Sequence, residues 1–159
     1  MIGAYDNEFD TNIRKLPAYA EIYVNGNTTA GNVPTGASFT KMIIPSSTKG
    51  NEKNCTVDLT AGTITANKSG KYLVNATFSS KLGTTDVIWD TAIFVNNTEA
   101  TNLHMRRRFS TSGYTFNVCL IGIVTLSAGD VLDIRSKHNN AASVAITTEY
   151  ANINITKID

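Results

Sequence analysis

The stretch Gly62-Thr-Ile-Thr-Ala-Asn-Lys-Ser-Gly-Lys-Tyr-Leu-Val-Asn-Ala-Thr-Phe-Ser79 decides the fold. From Lys71 it alternates: Tyr72, Val74, Ala76 and Phe78 fall on one side, and Lys71, Asn75, Thr77 and Ser79 on the other, with Leu73 the departure. A period of two belongs to a strand with one buried and one wetter face. Gly70 permits a turn conformation that other residues reach only at a cost, and Tyr72 beyond it can cover a sheet end with an apolar ring and a polar tip.

Outward from this stretch the same rhythm recurs. Residues 18–25, 39–44, 57–59, 62–66, 71–80, 87–95, 101–109, 114–126, 131–138 and 144–158 read as strands, separated by turns rich in Gly, Asn, Asp and Ser. No helical period with a cap and a Gly stop appears. About ten short strands at this spacing predict an all-β, antiparallel sandwich or barrel. Residues 25–36 and 46–54 read as polar loops, and 1–16 as an aperiodic N-terminal arm ahead of a single domain over 17–159.

The composition agrees. At 159 residues the chain can bury a core unaided; it is 42% hydrophobic and only 17% charged, with abundant Asn, Thr and Ser and no Gln. A net charge of +1 argues against a nucleic-acid partner. Residues 1–16 carry Asp6, Glu8 and Asp10 without an apolar core, unlike a signal peptide or anchor, and no apolar run nears the roughly 20 residues of a spanning helix, so no membrane partner is expected. Cys55 and Cys119 both sit among strand-like residues and read as buried thiols.

One strand breaks the alternation. Val118-Cys-Leu-Ile-Gly-Ile-Val124 is apolar on both faces, so its outer face should also be covered. Two coverings fit: the chain's own loops, or a neighbouring copy, since obligate interfaces resemble a core cut in half.

The Gly62 to Ser79 stretch resembles the early core motif of the jelly rolls typified by tumour necrosis factor and the complement globular heads. Leu126-Ser-Ala-Gly-Asp-Val-Leu-Asp-Ile134 resembles the same family's leucine, turn and Gly-Asp element, and Ala151-Asn-Ile-Asn-Ile155 its last strand. The resemblance covers about residues 18–159. It implies a TNF-like jelly roll assembled as a homotrimer about one sheet, which favours a neighbouring copy over residues 118–124. Phe116, Val118, Leu120, Ile121, Ile123 and Tyr150 become the candidate interface. The chain departs from the complement branch in lacking a Gly-x-y stalk, and from the cytokine branch in lacking an anchoring segment. The fold also recurs in bacteriophage fibre tips and capsid decorations, which a leaderless Asn/Thr-rich chain with a short arm resembles most.

Other candidate sites follow from residue type. The arm's Tyr5, Phe9 and Ile13 could dock a trimer onto a viral capsid or tail protein, against the plainer reading of a frayed terminus. Arg106 and Arg108 share a face of one strand and could contact an anion or a glycan, although charges protecting an edge strand are the plainer explanation. His104 and His138 are isolated from other ligand types, and Asp130 reads as a turn cap before it reads as a calcium ligand. Asn-x-Ser/Thr sequons occur at Asn27, Asn54, Asn67, Asn75, Asn96 and Asn154, as abundant Asn, Ser and Thr would generate by chance.

No nucleophile with a base, paired carboxylates or phosphate loop is evident, and no cofactor is called for. The expectation is a non-enzymatic virion surface protein, either a capsid decoration or part of a head or tail fibre. The alternative is an extracellular module that binds a host surface glycan or protein.

Overall fold

Residues 17–33, 38–84 and 86–159 are described by a computed structural model. The arm, with Tyr5, Phe9 and Ile13, lies outside the described residues. These form twelve strands: β1 (Tyr19–Asn25), β2 (Gly31–Val33), β3 (Thr40–Lys41), β4 (Thr48–Lys53), β5 (Cys55–Asp58), β6 (Thr63–Ala66), β7 (Gly70–Leu82), β8 (Val87–Val95), β9 (Thr98–Phe109), β10 (Thr115–Leu126), β11 (Val131–His138) and β12 (Val144–Lys157).

Two antiparallel sheets result. Sheet A runs β10-β7-β12-β1-β4, with β2 also on β12; sheet B runs β5-β6-β11-β8-β9, with β3 also on β11. Between them lies one core whose largest fully buried side chains include Trp89, Tyr72, Ile64, Ile93, Leu103, Leu126, Leu132 and Ile155. The alternation in β7 is realised residue by residue, with Tyr72, Val74, Ala76, Phe78, Ser80 and Leu82 buried. The Tyr72 hydroxyl donates to the Lys68 carbonyl at 2.7 Å, tying the ring to the turn before its own strand.

Turn chemistry sets the registers. Asn96 and Asn97 both adopt positive φ, 49° and 67°, between the paired Val95 and Thr98, as a two-residue hairpin with primed geometry requires. In the Ser127 to Asp130 turn, Gly129 takes φ 95° and the Ser127 amide donates to Asp130 Oδ2 at 2.7 Å. Asp130 Oδ1 also accepts from Asn96 Nδ2 at 2.7 Å, joining this turn to the hairpin. Asp130 is therefore a turn cap.

Gly122 closes one side of the sandwich. A Cβ there would lie 2.8 Å from Leu103 Cδ2, so a larger residue would have to push the Leu103 side chain aside where the edge strands β9 and β10 approach.

Three expectations need correction. Residues 25–36 and 46–54 are not all loop: β2 pairs with β12 over three residues, and β4 pairs with β1, where its exposed polar residues lack alternation because it is a wet edge strand. Cys119 is exposed, not buried, because its odd position in β10 faces away from the core, whereas Cys55 is buried. The outer face of β10, at the edge of sheet A, is not covered by the chain's own loops among the described residues, whereas the strand that the chain itself buries on both faces is β8, whose residues 89–94 are all buried.

Candidate functional site

The outward face of sheet A is built in rows. Cross-strand registers align Ile123 with Leu73 and Thr156, Ile121 with Asn75 and Asn154, Cys119 with Thr77 and Asn152, and Asn117 with Ser79 and Tyr150. Tyr23 and Glu21 on β1 extend two of these rows beside Asn152 and Asn154. Ile121 is 61% exposed, Ile123 51% and Tyr150 54%, with Leu73 and Tyr23 also exposed. Charges stay at the margins, as Lys71, Lys81 and Glu21, so the middle of the face is apolar or neutral polar. An open hollow of about 370 Å³ lies there, lined by Thr77, Ser79, Asn117, Cys119, Tyr150 and Asn152. It arises where short side chains meet the register shift between Thr148 and Tyr150.

The opposite face is ionic. Asp90 on β8 is buried and accepts from Arg106 Nε at 2.8 Å, from Arg106 Nη2 at 3.3 Å, and pairs with His104 Nε2 at 2.7 Å. His104 Nδ1 meets Glu99 Oε1 at 2.7 Å. Burial pushes the Asp90 carboxyl up, but the hydrogen bonds from Arg106 and His104 outweigh it and hold it below its ordinary value. Asp133, likewise buried, is gripped by Arg135 through Nε at 2.6 Å and Nη2 at 2.9 Å, with Lys41 at 3.4 Å. Phe39 lies across this face, edge-on to Phe94 and His104, with the Lys137 ammonium 4.4 Å from its ring centre. This cover is what buries the outer face of β8.

The candidate interface residues divide by parity. Phe116, Val118 and Leu120 point into the chain's own core, at 4%, 2% and 5% exposure, which removes them from any surface offered to another molecule. Ile121, Ile123 and Tyr150 remain on the surface, and no segment among the described residues covers them. Leu73, Tyr23 and Asn75 share that face and were missed; Leu73 was visible as the break in the β7 alternation. Arg106 and Arg108 do share a face, but each is already paired, Arg106 with Asp90 and Arg108 with Asp86 at 2.7 Å. Arg107, with no carboxylate within ion-pair reach among the described residues, lies 5.4 Å from the Phe109 ring centre.

Neither histidine is placed to act as a base. Both ring nitrogens of His104 face carboxylates; His138 is buried, with Nε2 on the Val33 carbonyl at 3.0 Å and Nδ1 accepting from the Asn140 amide at 3.2 Å. No group of three or more His, Cys, Asp or Glu gathers at metal-binding distance among the described residues.

The sheet order and this geometry define a TNF-like jelly roll. Solved structures agree: an Eiger TNF from S. frugiperda is 16% identical with a TM-score of 0.55, covering 91% of this chain and 94% of that one. The globular domain of zebrafish complement 1qA protein is 14% identical with a TM-score of 0.58, covering 89% and 97%. Murine APRIL is 9% identical with a TM-score of 0.58, covering 89% and 99%. No family model matches the sequence, and no curated protein matches it significantly. At these identities the likeness is one of fold.

Proposed function

We propose that this chain is a non-enzymatic assembly module, three copies of which pack the outward face of sheet A about a threefold axis. The observation that carries it is the contrast between the two outer faces. The middle of sheet A exposes Ile121, Ile123, Leu73 and Tyr150 without a charge, whereas sheet B covers its own outer face with Phe39 and an ion-pair network. Water is the costlier neighbour for the first face and an adequate one for the second. Light scattering should give three times 17.1 kDa for the chain, and the double substitution Ile121→Asp with Ile123→Asp should leave a folded monomer. A monomeric wild type overturns the reading.

The setting we propose is a virion surface, as a capsid decoration or part of a fibre, with the arm as the attachment segment. Its support is the resemblance of an Asn/Thr-rich jelly roll to such proteins. Immunogold labelling of virions purified from the source should decorate the particle; absence of label overturns the setting and leaves the trimer standing.

A second reading, a module binding a host glycan or protein, is favoured by the turn between β9 and β10. There Tyr114 is 73% exposed, and the Arg107 guanidinium lies just before the turn, close to Phe109. An exposed aromatic ring and a cation without a carboxylate partner among the described residues, carried on one hairpin, are residue types suited to an acidic sugar. Loss of sialylated-glycan binding in Tyr114→Ala with Arg107→Ala would support it, and no binding by the wild type would remove it.

A further inference from the structure

β12 reverses its inward side once along its length. Val144, Ile146 and Thr148 are buried before that point, and Ala151, Ile153 and Ile155 after it. The reversal is the register shift against β7, where Thr148 is aligned with Ser80 but Tyr150 with Ser79. Continued without the shift, the parity of Val144, Ile146 and Thr148 would carry Tyr150 into the core. The bulge re-aims it, as bulges beside functional surfaces do, and leaves the ring 54% exposed. An aromatic ring turned out of a core is apolar area left in water.

The hollow lies beside that ring and is open to solvent. Thr77, Ser79 and Cys119 are short side chains in the middle of a sheet face, and the space of about 370 Å³ above them exceeds the roughly 150 Å³ that accommodates a benzene ring. Tyr150 borders the hollow without filling it. The lining is uncharged, and Asn117 gives its Oδ1 to the Ser79 hydroxyl at 2.6 Å, which leaves Nδ2 to donate to an incoming oxygen. An apolar ring with one polar tip matches such a space.

We infer that Tyr150 of each copy enters the hollow of the next, so that every chain both gives a ring and receives one. This rests on the proposed trimer, which places the face of β10, β7 and β12 at the axis. The occupant is a second copy for two reasons. The projecting ring and a space able to hold it lie on one face, so identical chains supply each other. The nearest charges, Lys81 and Glu149, are paired with each other at 2.5 Å, so identical faces meet without like-charge repulsion. A contact between two different patches is heterologous, and a turn of one third closes it into a ring of three.

Tyr150→p-benzoylphenylalanine tests the placement by photocrosslinking of the full chain. Irradiation should give covalent dimers and trimers on denaturing gels, with the attachment mapped by mass spectrometry to Thr77, Ser79, Asn117 or Cys119. Attachment within single chains only, or to residues away from the hollow, overturns the inference and spares the trimer. A second measurement is the association constant, with circular dichroism confirming folding. Tyr150→Ala, which removes the ring, and Cys119→Trp, which fills the hollow, should each weaken association by at least about 30-fold. Combined in one chain they should recover much of that loss, since the hollow then carries its own ring and no other competes for it. Additive losses, or no loss from Tyr150→Ala, overturn the contact. A monomeric wild type removes the trimer and the contact with it.

Discussion

Arg106 meets Asp90 across the β8–β9 pair, the two residues directly opposite in register and joined by two hydrogen bonds, while Arg108 two residues on meets Asp86 in open solvent. The pairs look alike in sequence and differ in burial. Removing Arg106 strands a buried carboxylate, which Arg108 does not do for Asp86. Arg106→Ala should therefore lower Tm by several degrees and Arg108→Ala by no more than about 2 °C. Equal shifts in thermal melts would show that the Asp90 pair carries no special weight.

The same carboxyl gives an acid limb. Asp90 titrates lower folded than unfolded, because its hydrogen bonds from Arg106 and His104 outweigh its burial. Its stabilisation is present above the ordinary carboxyl value of about 4 and is lost as pH falls through the lower folded value. Urea midpoints from about pH 6 to about pH 2 should fall more steeply for wild type than for Asp90→Asn. Parallel curves would locate the acid sensitivity elsewhere.

At the alkaline end the relevant group is Tyr72. Burial pushes its phenol up to about 12, with Cys55 adding to the rise. A proton held more tightly in the folded state stabilises below the unfolded value of about 10, and that stabilisation fades as pH climbs from there toward 12. Absorbance titration should show one late tyrosine that ionises with unfolding, and Tyr72→Phe should lack it. The variant should also lose about 1 kcal/mol at neutral pH, for the bond to the Lys68 carbonyl. A phenol titrating near 10 in the native protein would contradict the burial.

Asn27 is buried, and its amide is fully engaged. Nδ2 donates to the Thr29 and Thr148 carbonyls, both at 3.0 Å, and Oδ1 accepts from the Thr29 amide and the Ser46 hydroxyl. Although it heads a sequon, its amide nitrogen is spoken for and unavailable to a sugar. Asn27→Ala should cost about 3 kcal/mol by leaving those groups unpaired. A change under about 1 kcal/mol in chemical denaturation would mean that water replaces them.

What the sequence conveys about this molecule depends on how many faces a strand has to satisfy. β7 has one buried and one open face, so its period of two was legible. β4 was not, because Lys49, Asn51, Glu52 and Lys53 lie on an edge strand that buries almost nothing. An apolar run does not say what covers its outer face. Over 118–124, Val118 and Leu120 fill the core while Cys119, Ile121 and Ile123 face out, uncovered by the described residues of the chain itself. β8, buried twice, hides it behind Asp90, whose charge is absorbed by partners 14 and 16 residues away. The isoleucines of the candidate site could be read from composition, but the hollow beside Tyr150 could not. It needed the alignment of three strands, which no local pattern encodes.

Cys119 turns that face into something measurable. It is exposed at the edge of the hollow beside Thr77 and Asn152, whereas Cys55 is buried and burial pushes its thiol up. In a lone chain a thiol reagent should therefore modify Cys119 readily and Cys55 only on unfolding. In the trimer the same residue lies against a neighbour. Its labelling rate should fall as protein concentration rises through the association range, and should stay fast at every concentration in the Ile121→Asp, Ile123→Asp variant. Cys119→Ser should abolish the fast phase in that variant, proving which thiol is read. Rapid labelling of wild type at high concentration, with light scattering reporting a trimer, would mean that the copies meet through another face.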